Sequence, residues 1–272
     1  MLGPDCCHYA RTMGLGRGFL TDLVALKRGG QLIGGRRVIE IGAQQLSDSL
    51  LQADDLLDEL YALFAASRPH LGTPKGGQNL ADDAPSSRAF WTSLGFEYAA
   101  LDFDGHRNSV AIDLNRDLVP EAIKNTFDLV VNTGTTEHIA NQDNCFRVIH
   151  DLARKGGVMY HELCAGMSDH GLINYNPRFF WKLRDANDYE VLSMSLVSSG
   201  TIPVPEHIIE NNIRYGGGNH LDLTSLPDIT IRVSFRKRNR QLFGSPLDLP
   251  DCLMPGKLAT LATVAKRAIP WR

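Results

Sequence analysis

The chain has 272 residues, a formal net charge of −3, 43% apolar residues and 22% charged residues. This length and composition suit one large α/β domain, or one domain with attachments, and argue against global disorder. The charge gives no sign of nucleic acid as the main partner, and no apolar run is long enough to span a bilayer. The N-terminus lacks the order of a signal peptide, and five scattered cysteines favour reduced intracellular thiols. We therefore expect a cytoplasmic protein, and we expect no metal because the cysteines lack zinc spacing.

The first hundred residues are predicted to hold a helix, a buried strand and a helical segment. Apolar residues recur at helical spacing in 18–27 and again in 46–64. Between them, residues 38–41 form a short apolar run that stops at Gly42, which is typical of a buried strand before a tight turn. A second short helix is predicted over 86–95.

The rest of the chain alternates between predicted strands and helices. Strands are expected at 96–102, 127–134, 157–164, 189–199 and 228–238. Helices are expected at 121–125, at 135–157, where Gly156 and Gly157 end the helix, and at 176–188.

A third extended segment, 109–114, follows Asp102 too closely for a normal parallel crossover. Such a crossover needs about a dozen residues. We therefore expect this segment to pair antiparallel or to run along the edge of the sheet.

Alternating strands and helices predict a doubly wound, mostly parallel sheet covered on both faces. Ligands in such sheets bind beyond the carboxyl ends of the strands, at the switch point. The residues to consider are thus Gly42, Asp102, Asn132 and the segment that follows Cys164.

These residues suit a nucleoside. A glycine turn at 40–43 lets the backbone approach a ligand, and a carboxylate such as Asp102 can accept hydrogen bonds from ribose hydroxyls. Phe103 can lie beside a purine, and Asp113 can meet its amino group.

The order of motifs resembles class I S-adenosylmethionine (SAM)-dependent methyltransferases. The motifs are E-I-G at 40–42, a strand that ends at Asp102, D-L-V at 128–130 followed by E-H at 137–138, and K-G-G at 155–157. The resemblance runs from about residue 36 to about residue 240, and the stretch 170–180 is similar to a bacterial subgroup of these proteins.

The resemblance implies an α/β fold, with a seven-stranded, mostly parallel, doubly wound sheet whose last strand is antiparallel. It places a methyltransferase-like domain at 36–245, with a helical insertion after strand one at about 46–90. It leaves an N-terminal helical extension at 1–35 and a tail at 246–272 with an amphipathic helix. The chain departs from the family pattern in its single glycine at the turn and in the insertion, which puts about sixty residues between Gly42 and Asp102.

The cofactor implied by the resemblance is S-adenosyl-L-methionine. The residues predicted to bind it are Glu40, Gly42, Ala43, Gln44, Asp102, Phe103, Asp113, Asn132, Thr133 and Gly134.

Three histidines are candidates for a catalytic base in transfer to a hydroxyl or amine: His170, then His161, then His138. His161 lies inside a strand, where a satisfied core histidine is the simpler interpretation. Glu137 can equally stabilise a helix N-terminus that is capped by Thr135 or Thr136. Residues predicted to orient the acceptor are Asn174, Tyr175 and Asn176.

The predicted function is therefore SAM-dependent methyl transfer to an oxygen or nitrogen of a small-molecule or glycan-type acceptor. A homodimer is one assembly that we consider for this enzyme. One alternative is a non-catalytic methyltransferase-like scaffold that acts by protein contact, which the single glycine and the insertion favour. A NAD-dependent oxidoreductase is disfavoured because G-x-G-x-x-G is missing.

Overall fold

The structure is a computed structural model that describes residues 14–32, 36–72, 86–105, 109–167, 170–198 and 228–248. Its centre is a seven-stranded sheet with the order β3-β2-β1-β4-β5-β7-β6. The strands are β1 Arg37–Ile41, β2 Glu97–Asp102, β3 Val110–Ala111, β4 Phe127–Thr133, β5 Ala153–Gly166, β6 Tyr189–Ser198 and β7 Ile229–Lys237. The α-helices are α1 Arg17–Arg28, α2 Asp48–Leu51, α3 Asp54–Leu63, α4 Ser87–Ser93, α5 Gln142–Leu152 and α6 Pro177–Asn187.

The strand directions confirm the predicted fold class. Strand β1 lies parallel to both β2 and β4, and β4 lies parallel to β5. Strand β7 enters between β5 and β6 and runs antiparallel to both. The chain order reverses at β1 and β4, so this pair is the topological switch point of the sheet.

Helices cover both faces of the sheet, each over its own apolar core. One core joins the sheet to α5 and α6 through residues such as Phe146, Ile149 and Phe180. The other joins it to α1–α4, and there Trp91 and Tyr160 both pack edge-on against Phe19. The N-terminal helix α1 is therefore part of the packed fold.

The insertion forms two short helices where the apolar spacing predicted one helical segment. Ser47 caps α2 by accepting a hydrogen bond from the Leu50 N–H, and the chain turns at Gln52 and Ala53 before α3 begins. A bridge between Gln45 and Ser86 brings the two ends of the insertion together. The insertion thus returns to the carboxyl end of β1.

Strand β3 corrects the expectation of antiparallel pairing. It lies at the sheet edge, as one of the two expectations had it, but it pairs parallel with β2, through Leu101 with Val110 and Asp102 with Ala111. Only the last two residues of β2 take part. The chain does not travel back along the whole of β2, so no helical crossover is needed.

The segment after β4 differs from the single long helix predicted over 135–157. A one-turn 3-10 helix spans Thr136–His138, and α5 begins only after Asn141, whose side chain accepts a hydrogen bond from the Asn144 N–H. Neither Thr135 nor Thr136 caps α5. The strand β5 already begins at Ala153, so the K-G-G motif lies within this strand and does not end a helix.

No helix in the described part of the chain is long and apolar enough to cross a membrane. The paired cysteines at 6–7, most of the segment 70–85, the glycine-rich segment 215–221 and the predicted C-terminal helix lie outside the described residues.

Candidate functional site

A cavity of about 390 Å³ lies at the carboxyl ends of β1, β2 and β4, beside the switch point. Its volume is within the range of small-molecule and cofactor pockets. The residues that line it are Gly14, Gly42, Ala43, Gln44, Gln45, Leu101, Asp102, Phe103, Ile112, Asp113, Leu114, Asn115, Gly134, Thr135, His138 and Ile139.

The turn after β1 depends on glycine at position 42. Gly42 has φ +79°, and an added Cβ would overlap Thr135 Oγ1. The Thr135 hydroxyl donates to the carbonyl of Ile41 at 2.7 Å, so the segment after β4 is fixed against this turn. Both the backbone conformation and the available space therefore exclude a side chain at Gly42.

Gln44 takes part in the same turn through its side chain. Its amide Nε2 donates to Thr135 Oγ1 at 3.2 Å and to the carbonyl of Gly42 at 3.3 Å. The turn after β1 has no glycine besides Gly42, and the side-chain amide of Gln44 forms hydrogen bonds across it. The turn is consequently held by side-chain hydrogen bonds.

Asp102 ends β2 and faces the turn after β1. Its Oδ2 accepts a hydrogen bond from the Ala43 N–H at 2.9 Å, and its Oδ1 accepts one from the Phe103 N–H at 2.7 Å. The carboxylate lines the cavity and can accept more hydrogen bonds at its remaining lone pairs. Phe103 also lines the cavity, and its ring is 74% exposed.

Asp113 lines the side of the cavity that is formed after β3. It accepts hydrogen bonds from the Asn115 N–H at 2.9 Å and from Arg116 Nε at 2.7 Å. The hydrogen bond from the Asn115 N–H has the largest effect on the pKa of the Asp113 carboxyl, and the one from Arg116 has the next largest. Both lower this pKa below its ordinary value. Asp113 is therefore a charged acceptor beside the apolar walls of Ile112 and Leu114.

Glu40 does not line the cavity, although it was predicted to bind the cofactor. Its carboxylate is fully buried and accepts hydrogen bonds from the Gln44 N–H, Ser87 Oγ, Trp91 Nε1 and Tyr98 OH. Burial raises the pKa of Glu40, and these hydrogen bonds oppose that shift. The residue ties α4 to β1 and β2, and its contribution to the cavity is indirect.

Asn132 and Thr133 are also buried away from the cavity surface. Asn132 Nδ2 donates to Thr136 Oγ1 at 2.9 Å and lies 3.2 Å from Nδ1 of His161. Of the three residues predicted at the end of β4, Gly134 is the one that lines the cavity.

His161 is a core histidine, which corrects its assignment as a catalytic base. It is 1% exposed and packs between the rings of Phe146, Phe180 and Phe235. Burial lowers the pKa of His161 to about 3, so the ring is neutral at neutral pH. It is not among the residues that line the cavity.

The three residues predicted to orient the acceptor instead support the chain after β5. The Asn174 amide makes two 2.9 Å hydrogen bonds with the backbone of Met167, and Asn176 caps α6. Tyr175 is buried, and its hydroxyl lies 2.8 Å from Thr136 Oγ1. None of the three lines the cavity.

His138 and His170 lie together at the edge of the cavity, with Glu137 beside them. His138 lines the cavity, and the centroid of its ring is 4.9 Å from that of His170. His170 Nε2 is 3.7 Å from Glu137 Oε1. Burial raises the pKa of Glu137 to about 7. His138 of the E-H motif therefore lines the cavity, and His170, which lies beside both residues of the motif, comes from the segment after β5.

Sequence reasoning missed several residues of the cavity wall, among them Thr135, Asn115 and Ile139. The sequence pattern predicts only a helix-capping role for Thr135. Its place directly after the predicted strand was a usable signal, because residues after parallel strands converge at one edge of a sheet. No pattern in the sequence pointed to Gly14, which reaches the site through the bridge between Leu15 and Leu46.

No family model matches the sequence, and no curated protein matches it significantly. Among solved structures, similarity is found to the methyltransferase CalH in complex with SAH, with a TM-score of 0.42, 11% identity, and coverage of 80% of this chain and 55% of that chain. It is also found to the 1,6-didemethyltoxoflavin-N1-methyltransferase of Burkholderia thailandensis with bound 1,6-didemethyltoxoflavin and S-adenosylhomocysteine, with a TM-score of 0.40, 12% identity, and coverage of 81% and 78%.

A putative methyltransferase from Bacillus halodurans is similar too, with a TM-score of 0.41, 11% identity, and coverage of 80% of this chain and 100% of that chain. At these values the likeness identifies neither the ligand nor the activity of this chain. The fold class follows from the order and direction of the strands in its own sheet.

Proposed function

We propose that the cavity binds S-adenosyl-L-methionine and that the protein transfers its methyl group to an oxygen or nitrogen of a small-molecule or glycan-type acceptor. The observation that carries the proposal is the convergence of the Gly42 turn and the Asp102 carboxylate on one cavity at the switch point of this sheet. The resemblance of the sequence motifs to class I methyltransferases points to the same cofactor.

The residues present fit an adenosine group. Asp102 offers carboxylate oxygens to ribose hydroxyls, and Asp113 offers a charged acceptor to the amino group of adenine. Leu101, Ile112 and Ile139 supply apolar surface for a flat ring. We assign the methionine part to the turn at Gly42, where no side chain can intervene. SAM, when bound, supplies a methyl group made electrophilic by a positively charged sulfur.

The contribution of the protein to the reaction is mainly positioning. The turn held by Gln44 and Thr135 fixes one wall of the cavity, and His138 forms part of another. Of the three candidate histidines, His138 is the one that lines the cavity, so it is placed to accept a proton from an acceptor hydroxyl or amine. His170 packs against the His138 ring outside the cavity lining, and the buried His161 lies outside that lining as well.

Calorimetric titration of the purified full-length protein with S-adenosylhomocysteine tests this proposal. We expect micromolar binding, near −8 kcal/mol, that falls at least tenfold in an Asp102→Asn variant. Glu97→Gln is the matched control, because Glu97 is an exposed carboxylate at the opposite end of the same strand. Equal loss in both variants, or no binding by the unaltered protein, would contradict the cofactor assignment.

Two other functions remain as outcomes of this titration. Absence of binding would favour the scaffold that acts by protein contact. The turn after β1 agrees with that outcome, because Gln44 crosses it where class I methyltransferases have further glycines. Thermal stabilisation by NADH without binding of S-adenosylhomocysteine would favour the oxidoreductase. Release of S-adenosylhomocysteine from SAM in the presence of a cell extract would exclude both.

A further inference from the structure

Three side chains of metal-binding type meet at the edge of the cavity. Glu137 and His138 lie on the 3-10 turn after β4, and His170 comes from the segment after β5. One possible ligand atom of each lies within 4.8 Å of the others. The two imidazole rings stand at 79° to each other, so they do not stack face to face.

The backbone holds these two segments together. The N–H groups of Leu172 and Ile173 donate to the carbonyl of Glu137, at 2.7 and 3.1 Å. Gly171 has φ +72°, and an added Cβ would come within 3.0 Å of the Glu137 carbonyl oxygen. A glycine is therefore required for this close approach, and it brings the neighbouring His170 to the Glu137 side chain.

One oxygen of the buried Glu137 carboxylate has no hydrogen-bond partner among the described residues. The side chain is 2% exposed, and none of those residues offers a hydrogen-bond partner to its Oε2. The 3.7 Å between Oε1 and His170 Nε2 is longer than a hydrogen bond. A buried carboxylate oxygen without a partner is costly, and a bound cation would offset that cost.

We propose that Glu137, His138 and His170 bind one divalent transition-metal ion at the edge of the cavity. Two imidazoles and one carboxylate suit Zn²⁺, Fe²⁺, Co²⁺ or Mn²⁺ better than Mg²⁺ or Ca²⁺, which prefer all-oxygen sites. Metal–ligand bonds of about 2.0–2.2 Å require ligand atoms about 3–3.5 Å apart, so the cluster needs a contraction of about 1 Å. Three protein ligands leave a coordination position for water or for a substrate oxygen.

The role of this ion rests on the proposed function and extends it to the acceptor. Because His138 lines the cavity, the ion would border the space in which an acceptor enters. An acceptor hydroxyl bound to the ion would have a lowered pKa and would release its proton to solvent. The electron pair left on the oxygen would form the O–CH3 bond as the S–CH3 bond of SAM breaks, and the sulfur would keep the electron pair of that bond and leave as neutral S-adenosylhomocysteine. The acceptor class is then an alcohol or phenol, and the ion replaces His138 in the activation of its oxygen.

Titration of chelator-treated, full-length protein with Co²⁺, Zn²⁺, Mn²⁺ and Mg²⁺, in the absence of SAM, tests the site. We expect one equivalent of Co²⁺ to bind with micromolar or lower Kd and with visible d–d absorption, and Mg²⁺ to bind at least 100-fold more weakly. Glu137→Gln and His170→Ala should each weaken Co²⁺ binding at least 100-fold. His70→Ala is the control, because His70 is exposed and outside the cluster.

Unchanged Co²⁺ binding in both cluster variants would overturn the proposal, and so would the absence of binding by the unaltered protein. If the variants do not fold, anomalous diffraction from crystals of the unaltered protein soaked in Co²⁺ decides: a peak among the three side chains supports the site, and its absence there overturns it. If the protein binds S-adenosylhomocysteine but binds no Co²⁺, this inference alone is overturned and the proposed function stands. Metal binding without S-adenosylhomocysteine binding overturns the proposed function and leaves the metal site in place.

Discussion

Polar residues follow β1 and β2 on one side of the switch point and β5 on the other, and the structure uses the two groups differently. After β1 and β2, Gly42 and Asp102 border an open cavity, and the Asp102 carboxylate keeps acceptor capacity beyond its two backbone hydrogen bonds. After β5, the side chains of Asn174 and Asn176 form hydrogen bonds with the backbone, and the Tyr175 hydroxyl forms one with Thr136. Position at the carboxyl edge of a sheet is therefore not enough to make a polar residue a binding residue.

The difference has a physical origin in the length of the chain that follows each strand. The turn after β1 is tight, so its backbone remains at the cavity surface. The described residues between β5 and α6 have backbone groups that need partners, and the Asn174 side chain supplies two of them. His170 is the exception. Because Gly171 has no side chain, this part of the segment approaches Glu137 closely, and the His170 ring lies beside the Glu137 carboxylate.

Gly42→Ala should have the largest effect on the first region. The new Cβ meets Thr135 Oγ1 in a left-handed backbone conformation, so we expect affinity for S-adenosylhomocysteine to fall about 100-fold, or about 2.7 kcal/mol. Gly30→Ala is the matched control, since Gly30 has φ +68° with no atom within 4 Å of the added Cβ. It carries the same backbone strain of about 1–2 kcal/mol without touching the cavity. Similar affinities of the two variants in calorimetry would show that the turn does not form the ligand site.

His161, which is buried within β5 itself, should make the free energy of unfolding depend on pH. His161 has a folded pKa of about 3 against an ordinary value of 6.5, so the unfolded chain binds a proton that the folded chain does not. This stability is complete above about pH 6.5 and is lost as the pH falls, by roughly 2 kcal/mol between pH 7 and pH 5. Urea unfolding at both pH values should show a smaller decrease in His161→Gln than in the unaltered protein. An equal decrease in both would argue against a neutral, buried His161.

Tyr175→Phe separates a structural role from a role in acceptor binding. Removal of the buried hydroxyl should lower the free energy of unfolding by about 1–2 kcal/mol and leave affinity for S-adenosylhomocysteine unchanged. Tyr61→Phe, which removes a hydroxyl bonded to Ser93 on α4, should give a similar loss of stability. Once an acceptor is known, a fall in kcat/KM for Tyr175→Phe but not for Tyr61→Phe would restore the acceptor role.

Asn174→Ala should have the smallest effect. Its two hydrogen bonds to Met167 are exposed, so chemical denaturation should show a loss of about 0.5–1 kcal/mol. We expect no change in affinity for S-adenosylhomocysteine. A tenfold weakening of that affinity, with stability unchanged, would place Asn174 at the ligand.

Much of the fold could be predicted because strands and helices leave periodic patterns. Strand β1, strand β4 and helix α1 lie close to where apolar spacing placed them. The segment 135–157 was misjudged because its apolar residues continue at helical spacing into a region where Asn141 caps a new helix and Gly157 must approach Phe127. Local spacing carries no information about either constraint.

Gly42, Asp102 and the E-H motif followed from the sequence by itself, because each comes directly after a buried strand and the carboxyl ends of parallel strands share one edge of a sheet. The alternation of strands and helices, and hence the fold class, also followed from the apolar pattern of the sequence. Only the tertiary structure decided which polar groups remain available to a ligand. Glu40 lies two residues before Gly42 in the chain, and His161 pairs across the sheet with Asn132, two residues before Gly134, yet packing buries both. Availability depends on which hydrogen-bond partners other segments bring, and those segments are distant in sequence, as Trp91 is from Glu40.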